Sequence, residues 1–327
     1  MVNVDNIKRN EIYQLLLEQP LTGQIEEAMI GLTWTYCQVN QEPGLSMSLG
    51  KSTRTLPWSG SLRGRNAKSV AEWITSWNSH EANIAMATIN AAMNADNTLL
   101  AASEAINNDA PANLSVFEYF LPRITNKNVV VIGRYPGLER YSDKCNMTVI
   151  ERMPGDLDLP DQAAEFLVPK ADWVFLTASS IPNKTFPRLA ELAIDTNLVL
   201  MGPTVPWLSE LSEFGVDFLA GVSVTDKELL KQTVAEGGGT RIFETGVQYH
   251  VADLGKLEMN VYETAISDLV ARRESLKKEM DQWYSNLNKG RYPRYQELQT
   301  IDQELTIFDS RFKRLWDARN SGYASMS

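Results

Sequence analysis

The sequence predicts an α/β protein, in which a parallel sheet with helices on its faces follows a smaller α+β domain and precedes an antiparallel helical hairpin. Three observations predict it. Five short apolar runs alternate with helical patterns between residues 129 and 221. Residues 26–58 carry alternating apolar and polar positions, and two long apolar stripes at helical spacing lie beyond residue 256.

Length and composition indicate a globular protein. The chain has 327 residues, which suits two domains plus an appendage, and its 43% hydrophobic and 22% charged residues are ordinary values. It has neither an apolar run that would span a bilayer nor an apolar signal core at its start, so we expect a cytoplasmic protein with no membrane partner. The net charge of −10 disfavours a nucleic-acid partner. Cys37 and Cys145 are expected to be buried thiols rather than a disulfide.

The first predicted domain covers residues 1–100 and has mixed helices and strands. Its predicted elements are a helix over 5–19, alternating strands over 26–58 with a hairpin turn at Glu42-Pro43-Gly44, and helices over 67–77 and 80–94. The second of these last helices is rich in Ala and Met, which suit close packing on a sheet. Residues 95–113 show no clear period and predict a connection between domains.

The second predicted domain covers residues 114–254. Its apolar runs are VVVIG (129–133), MTVIE (147–151), WVFLT (173–177), LVLMG (198–202) and VDFLAG (216–221). Continuous apolar runs are typical of strands buried on both faces, and the helical patterns between them indicate βα units. Together they predict a Rossmann-like domain with a parallel sheet.

The third predicted unit covers residues 256–320. Apolar residues follow 3–4 spacing from Ile266 to Leu287, broken only by Arg273, and again from Leu298 to Leu315. Gly290 and Pro293 separate the two stripes. We therefore expect an antiparallel coiled-coil hairpin that mediates self-association or docks a protein partner, with folding back onto its own chain as the alternative.

Candidate ligand-binding residues follow the apolar runs, because open parallel sheets bind ligands outside the carboxyl ends of their strands. The first run leads into Gly133, Arg134 and Tyr135. The bulky side chains of Arg134 and Tyr135 distinguish this turn from a Gly-rich pyrophosphate loop. The second run ends at Glu151, 18 residues beyond Gly133, about where nucleotide-binding relatives carry a ribose-binding acid. A carboxylate there can accept hydrogen bonds from hydroxyls, ligate a cation, or pair with Arg134 or Arg152.

The next two loops carry further candidates, namely Thr177, Ser179, Ser180, Asn183 and Thr185 after the third run, and Gly202, Pro203 and Thr204 after the fourth. The hydroxyls and amide of the first of these loops favour an anion held at a helix N-terminus, with N-capping by Asn183 or Thr185 as the alternative. We expect four candidates to converge on one cleft that faces the N-terminal domain: Glu151, Ser179, Asn183 and Thr204.

Cys and His ligands for soft metals are scarce, and a site made of protein atoms alone would depend on Asp, Glu and hydroxyl oxygens, which favour hard cations. The only histidines are His80 and His250, and no Cys or His has the spacing of a zinc site. The acidic loop with Asp156, Asp158 and Asp161 is best interpreted as a solvated turn. A soft heavy metal would therefore need ligands from a bound chelator, and the cofactor is left open as a metal ion or a metal complex.

Several long blocks carry a family resemblance. VVVIGRYPGLER (129–140), ERMPGDLDLPDQAAEFLVPKADWVFLTASSIPNKTF (151–186), MGPTVPWLSELSEFGVDFLAGVSVTD (201–226) and EGGG (236–239) resemble the DUF364 family, whose name is linked to "putative heavy-metal chelation". Residues 60–94 look like its usual partner domain, DUF4213-like, which implies an enolase N-terminal-like fold for the first domain. The resemblance covers about three quarters of the chain and leaves out the hairpin.

Three functions remain open from the sequence. The first is binding of a small ligand or metal complex between the two globular domains. The second is an enzyme that uses a nucleotide or S-adenosylmethionine, with Glu151 at the ribose. The third is an assembly factor that docks a partner through the hairpin. Whether any reaction is catalysed stays open, because no Ser-His-Asp or Cys-His arrangement is legible.

Overall fold

The structure is a computed structural model, and it describes residues 11–48 and 56–320. The chain divides into two compact units, and the boundary in the sequence lies between Leu254 and Gly255.

The helices of the first unit are α1 (Glu11–Glu18), α2 (Ala67–Ala71), α3 (Ser79–Asn94), α4 (Thr98–Ala102), α5 (Ser115–Ile124), α6 (Ala164–Leu167), α7 (Phe186–Leu192), α8 (Lys227–Ala235) and α9 (Ile242–Thr245). Its strands are β1 (Ile25–Ile30), β2 (Trp34–Val39), β3 (Glu42–Met47), β4 (Glu104–Ala105), β5 (Asn128–Ile132), β6 (Asn146–Ile150), β7 (Trp173–Thr177), β8 (Asn197–Met201), β9 (Phe218–Val224) and β10 (Val247–Asp253). The second unit contains α10 (Gly255–Ser285) and α11 (Tyr295–Asn320).

The N-terminal strands form a small antiparallel sheet of order β1-β2-β3. The prediction of a hairpin turn at Glu42-Pro43-Gly44 was wrong, because these residues lie within β3, and the turn is at Asn40 and Gln41, whose φ angles are 51° and 64°. Positive φ at both central residues suits the strand twist of a two-residue hairpin. Pro43 is tolerated because β3 is an edge strand. The predicted helix residues 5–10 and strand residues 49–55 lie outside the described residues.

Helix α3 is buried along most of its length, with eleven consecutive buried residues over 82–92. Its Ala-rich surface permits a close approach to β3, where a Cβ added to Gly44 would lie 2.2 Å from the backbone nitrogen of Ala91. On the same helix, Asn90 Nδ2 donates to the carbonyl oxygens of Leu45 at 2.9 Å and Thr204 at 3.1 Å. Helix α3 therefore lies between the small sheet and the loop that follows β8.

The large sheet has the order β4-β10-β9-β8-β7-β5-β6. All five predicted apolar runs contribute strands, and these five are parallel. Numbered from β5, their order is 2-1-3-4-5, which places the topological switch point between β5 and β7. The mixed α/β fold class is confirmed, with a seven-stranded, mostly parallel sheet.

Two strands at one edge of this sheet were not predicted. β10 pairs antiparallel with β9, and β4 pairs antiparallel with β10. Residues 95–113, predicted as a connection between domains without regular structure of clear period, contain the short elements α4 and β4. β10 alternates buried and half-buried residues, so it lacks the continuous apolar run by which the other strands were found.

One hydrophobic core runs through the first unit. It joins α1 residues such as Ile12 and α3 residues such as Ile84 to one face of the large sheet, represented by Leu176 and Leu200. The other face carries an aromatic cluster in which Phe120 of α5 lies 5.1 Å from Phe218 by ring centroids. The predicted division of this unit into domains 1–100 and 114–254 stays a prediction.

The second unit is an antiparallel pair of helices. The rings of Tyr262 and Phe308 lie 5.6 Å apart, and Leu276 of α10 packs with Leu298 and Ile301 of α11. Arg273, which interrupts the predicted stripe, donates to Asp302 across the pair at 2.6 Å. The coiled-coil character of the pair stays a prediction.

Asn90→Ala tests the contact between α3 and the loop after β8. It removes the donor that two buried carbonyl groups share, so we expect the free energy of unfolding to fall by about 1–3 kcal/mol. Urea denaturation of the full chain measures it, with Asn260→Ala on the exposed surface of α10 as the control. Equal effects of the two substitutions would show that the Asn90 bonds add nothing to stability.

Candidate functional site

Four strands of the large sheet end at one edge. The register pairs Ile132 with Ile150 and with Leu176, and it pairs Thr177 with Met201. The loops that begin after these residues therefore share the carboxyl edge, where the sequence predicted a ligand. The loops after β7 and β8 are covered by N-terminal elements, whereas the loops after β5 and β6 border a cavity.

A cavity of about 650 Å³ lies between the loops after β5 and β6. Its lining residues are Arg134, Glu151, Met153, Gly155, Asp156, Leu157 and Asp158. Two of the predicted site residues, Arg134 and Glu151, belong to this lining. The lining carries three carboxylates and one guanidinium, so the cavity is negatively charged and favours cationic or neutral ligands over anions.

The Glu151 carboxylate joins the two loops that border the cavity. Its Oε2 accepts the backbone N–H of Arg134 at 2.9 Å, and its Oε1 accepts the backbone N–H of Arg152 at 2.7 Å and, at 3.4 Å, that of Met153. The alternative of an ion pair between Glu151 and either arginine side chain does not describe this arrangement, because the bonds come from the backbone. An ionised carboxylate has about four acceptor sites, so these bonds leave capacity for a ligand.

Arg134 holds the same two loops together through its side chain. The guanidinium donates to Asp158 and to Glu139, and the neighbouring carboxylates raise the pKa of Arg134. Asp158 has only 1% of its side chain exposed, and its second oxygen accepts the N–H of Gly155 at 3.0 Å. The prediction of a solvated acidic turn was therefore wrong for Asp158, because the fold brings a cation from another loop against it.

The loop after β7 is largely enclosed. Ser179 and Ser180 are buried, and the hydroxyls of Thr177 and Ser179 lie 3.0 Å apart. Asn183 Oδ1 accepts the N–H of Thr185 at 3.0 Å and the Thr185 hydroxyl at 2.6 Å. Three of the loop's polar side chains, Thr177, Ser179 and Asn183, thus bond within the loop. Helix α7 receives no side-chain cap from its N-cap residue Thr185, so N-capping by Thr185 was a wrong alternative.

Elements of the N-terminal half cover this loop. The Tyr13 hydroxyl of α1 donates to the carbonyl of Ile181 at 3.1 Å. Lys184 Nζ donates to the carbonyl of Ile74 and lies 4.8 Å from the centre of the Tyr13 ring. Burial lowers the pKa of Lys184 to about 8. These contacts favour a packing role for the loop over the anion site expected from the sequence.

The loop after β8 is also buried. Gly202, Pro203 and Thr204 are buried, and the Thr204 hydroxyl accepts the N–H of Met47 in β3 at 2.9 Å. Of the four residues expected to converge on one cleft, only Glu151 lines a described cavity; Ser179, Asn183 and Thr204 bond within their loop or to the N-terminal half.

Tyr135 occupies the switch point between β5 and β7. Its ring packs against Phe117 at 5.5 Å, and its hydroxyl lies beside Gly202, where an added Cβ would be 3.5 Å away. Burial raises the pKa of Tyr135, and a hydrogen bond with Thr177 partly opposes this. Gly133 has a φ of 98°, which allows the chain to turn directly after β5 and place Tyr135 there.

The soft metal ligands of the chain are poorly placed for a heavy metal. Cys37 and Cys145 are free and buried, as predicted, and burial raises the pKa of Cys37 to about 12. His250 Nδ1 lies 3.0 Å from the Ser103 hydroxyl, and burial lowers the pKa of His250. Within residues 11–48 and 56–320, no group of three or more His, Cys, Asp or Glu residues is placed to hold a metal ion. This donor set does not fit a bare heavy-metal ion.

Family models match most of the first unit. Residues 115–253 match DUF364 and residues 13–93 match DUF4213, and both models are described as "putative heavy-metal chelation". The chain therefore contains a DUF364 domain, which is preceded by a DUF4213 domain. No curated protein matches it.

Two solved structures are similar to this DUF364 protein. One is a DUF364-family protein of unknown function from Desulfitobacterium hafniense, with 29% identity and a TM-score of 0.65 over 75% of this chain and 98% of the other. The other is a DUF364-family protein of unknown function from Pyrococcus horikoshii, with 21% identity and a TM-score of 0.62 over 77% of this chain and 100% of the other. The second likeness shows the fold alone. Within the described part of this DUF364 protein, no helix has both the length and the apolar character to cross a membrane.

Arg134→Ala tests the pairing beneath the cavity. The substitution leaves the buried Asp158 carboxylate without its cation, so we expect the free energy of unfolding to fall by about 1–3 kcal/mol. Arg188→Ala is the control, because Arg188 pairs with Glu165 and Glu191 on the surface and such pairs contribute little. Chemical denaturation measures both variants. An Arg134→Ala protein as stable as the control would contradict the role given to this ion pair.

Proposed function

We propose that this DUF364 protein binds a small, neutral or cationic, hydroxyl-bearing molecule, or the metal complex of one, in the cavity at the carboxyl ends of β5 and β6. The observation that carries the proposal is Glu151, a half-buried carboxylate that lines a cavity of about 650 Å³ at this edge of the sheet. Small-ligand sites usually measure about 300–1,000 Å³ and carry a few placed polar groups.

Charge supports the ligand class. Asp156 and Asp158 add to the negative charge of Glu151, while the Arg134 guanidinium is engaged by Asp158 and Glu139. An anion would meet three carboxylates and a cation that is already neutralised. Hydroxyl groups or a positive charge would instead find acceptors.

We propose that the heavy metal named in the family description binds as part of the ligand, already held by a chelating molecule. Thiolates and imidazoles are the groups that soft metals prefer, and the thiol of Cys37 stays protonated because burial raises its pKa to about 12. A chelator that supplies its own soft ligands avoids this restriction. The protein would then recognise the hydroxyls and the net charge of the complex.

Native mass spectrometry of the full chain, purified without added metal, tests the proposed function. We expect a non-covalent adduct on the wild type that is lost in Glu151→Gln, because the amide keeps the shape but removes the charge and one acceptor. Elemental analysis should find a heavy metal only together with that adduct. Glu165→Gln, outside the cavity lining, serves as the control and should retain the adduct.

Two results together would contradict this proposal. The wild type would carry no adduct. Titration with Zn²⁺ or Cu²⁺ alone would give the same one-to-one binding in wild type and in Glu151→Gln. Binding of the bare ion would then rest on other residues.

The helical pair carries a second candidate function, self-association. Trp316 is half-exposed and stacks on Phe312 with ring centroids 6.2 Å apart and planes at 20°. Val261, Val270 and Ile307 are also exposed along the pair. Exposed aromatic residues are enriched in protein interfaces, and a second copy of this pair would bury them.

Sedimentation of the full chain over a range of concentrations tests self-association. We expect a reversible dimer or larger assembly, and we expect Trp316→Ser to raise its dissociation constant. The neighbouring exposed residue provides the control substitution Asp317→Ser, which should leave the assembly intact. A wild-type chain that stays monomeric would contradict self-association. An assembly whose dissociation constant is unchanged by Trp316→Ser would contradict the role of this surface.

A further inference from the structure

We propose that the ligand of the cavity between the loops after β5 and β6 is a nucleoside without phosphates, that is, a vicinal diol attached to a flat heteroaromatic ring whose face can pack on apolar side chains. The inference rests on the proposed function and narrows its ligand class. Three features carry it: the free acceptor sites of Glu151, an apolar rim, and a loop after β5 in which the N–H and the guanidinium of Arg134 are already bonded.

Glu151 presents acceptors suited to a diol. Glu151 follows β6, which is strand 2 in the 2-1-3-4-5 order. A carboxylate at this position reaches the hydroxyls of a ligand that lies along the edge of the sheet. Each of its oxygens accepts one well-formed backbone bond, from Arg134 at 2.9 Å and from Arg152 at 2.7 Å. With the bond from Met153 at 3.4 Å counted as weak, each oxygen keeps one acceptor site. Two neighbouring hydroxyls fill two such sites at once.

The rim of the cavity is apolar. Met153 is 87% exposed and Leu157 is 78% exposed, although both line the same cavity as three carboxylates. A flat ring placed against these side chains would cover apolar surface that otherwise faces water. Methionine adapts its shape to such a ring, because its side chain is unbranched and polarisable.

Phosphates are disfavoured by the loop after β5. A dinucleotide site needs backbone N–H groups free to meet a pyrophosphate, but the N–H of Arg134 is already bonded to Glu151. Tyr135 fills the switch point beside Gly202. The Arg134 guanidinium is held by Asp158 and Glu139, so it offers no unpaired charge to a phosphate.

Isothermal titration of the full chain tests this inference with adenosine, guanosine, cytidine, uridine, S-adenosylmethionine and ATP as the probes. We expect at least one ribonucleoside or S-adenosylmethionine to bind, and we expect the phosphorylated probe ATP to bind at least about tenfold more weakly than adenosine or not at all. The 2′-deoxy form of the tightest ribonucleoside should lose about tenfold in affinity, since it cannot present a diol to Glu151.

Two substitutions separate the features of the site. Glu151→Gln should weaken the tightest nucleoside about tenfold and abolish the preference over its 2′-deoxy form, because one acceptor oxygen is replaced by a donor. Met153→Ser should weaken the nucleoside and its 2′-deoxy form equally. Glu165→Gln provides the surface control, and thermal unfolding of each variant confirms that it is folded.

The results distinguish this inference from the proposed function. If no probe binds while native mass spectrometry shows a Glu151-dependent adduct of another chemistry, the nucleoside class is wrong and the cavity remains a binding site. Binding of ATP as tightly as adenosine, or of the 2′-deoxy form as tightly as the ribonucleoside, also overturns it. If neither probe nor adduct depends on Glu151, both proposals fail.

Discussion

The packing of helix α3 against the carboxyl edge of the large sheet is the constraint on which the rest of the first unit depends. Asn90 bonds the carbonyl groups of both Leu45 and Thr204, and the Thr204 hydroxyl in turn accepts the N–H of Met47. Buried polar groups of this kind are costly to separate, since each would lose its partner away from water. The loop after β8, which in an open α/β sheet is available to ligands, is therefore part of the contact with the N-terminal half. The loop after β7 joins the same contact through Tyr13 of α1 and the carbonyl of Ile74.

The same constraint limits which loops at this edge border an accessible cavity. With the loops after β7 and β8 enclosed, the ends of β5 and β6 retain an accessible cavity at this edge. Its loops are joined twice, by the Glu151 carboxylate to the backbone of Arg134 and by the Arg134 guanidinium to Asp158. A site whose polar groups are already oriented loses less conformational entropy on binding than one that must order itself.

The family description and the side-chain chemistry are compatible if the metal is bound by a small chelating molecule rather than by the side chains of the protein. DUF364 and DUF4213 both carry the words "putative heavy-metal chelation", yet burial raises the pKa of the Cys37 and Cys145 thiols. A protein that recognises hydroxyls and charge on a chelating molecule needs no soft ligand of its own. In the proposed function Tyr135 disfavours phosphates, because a bulky, half-buried side chain stands where phosphate binders keep an open, glycine-rich turn.

The sequence by itself determined the α/β class, the five parallel strands and the carboxyl edge at which Glu151 stands, because continuous apolar runs and strand-end positions are local patterns. It did not reveal the antiparallel β10, whose alternating burial differs from those runs, or the turn at Asn40 and Gln41. It also could not show that Thr204 and Ser179 would be buried or that Asp158 would meet Arg134, since these environments arise from segments far apart in the chain. Only the tertiary structure decided which strand-end residues face a cavity, because burial and pairing depend on what packs above each loop.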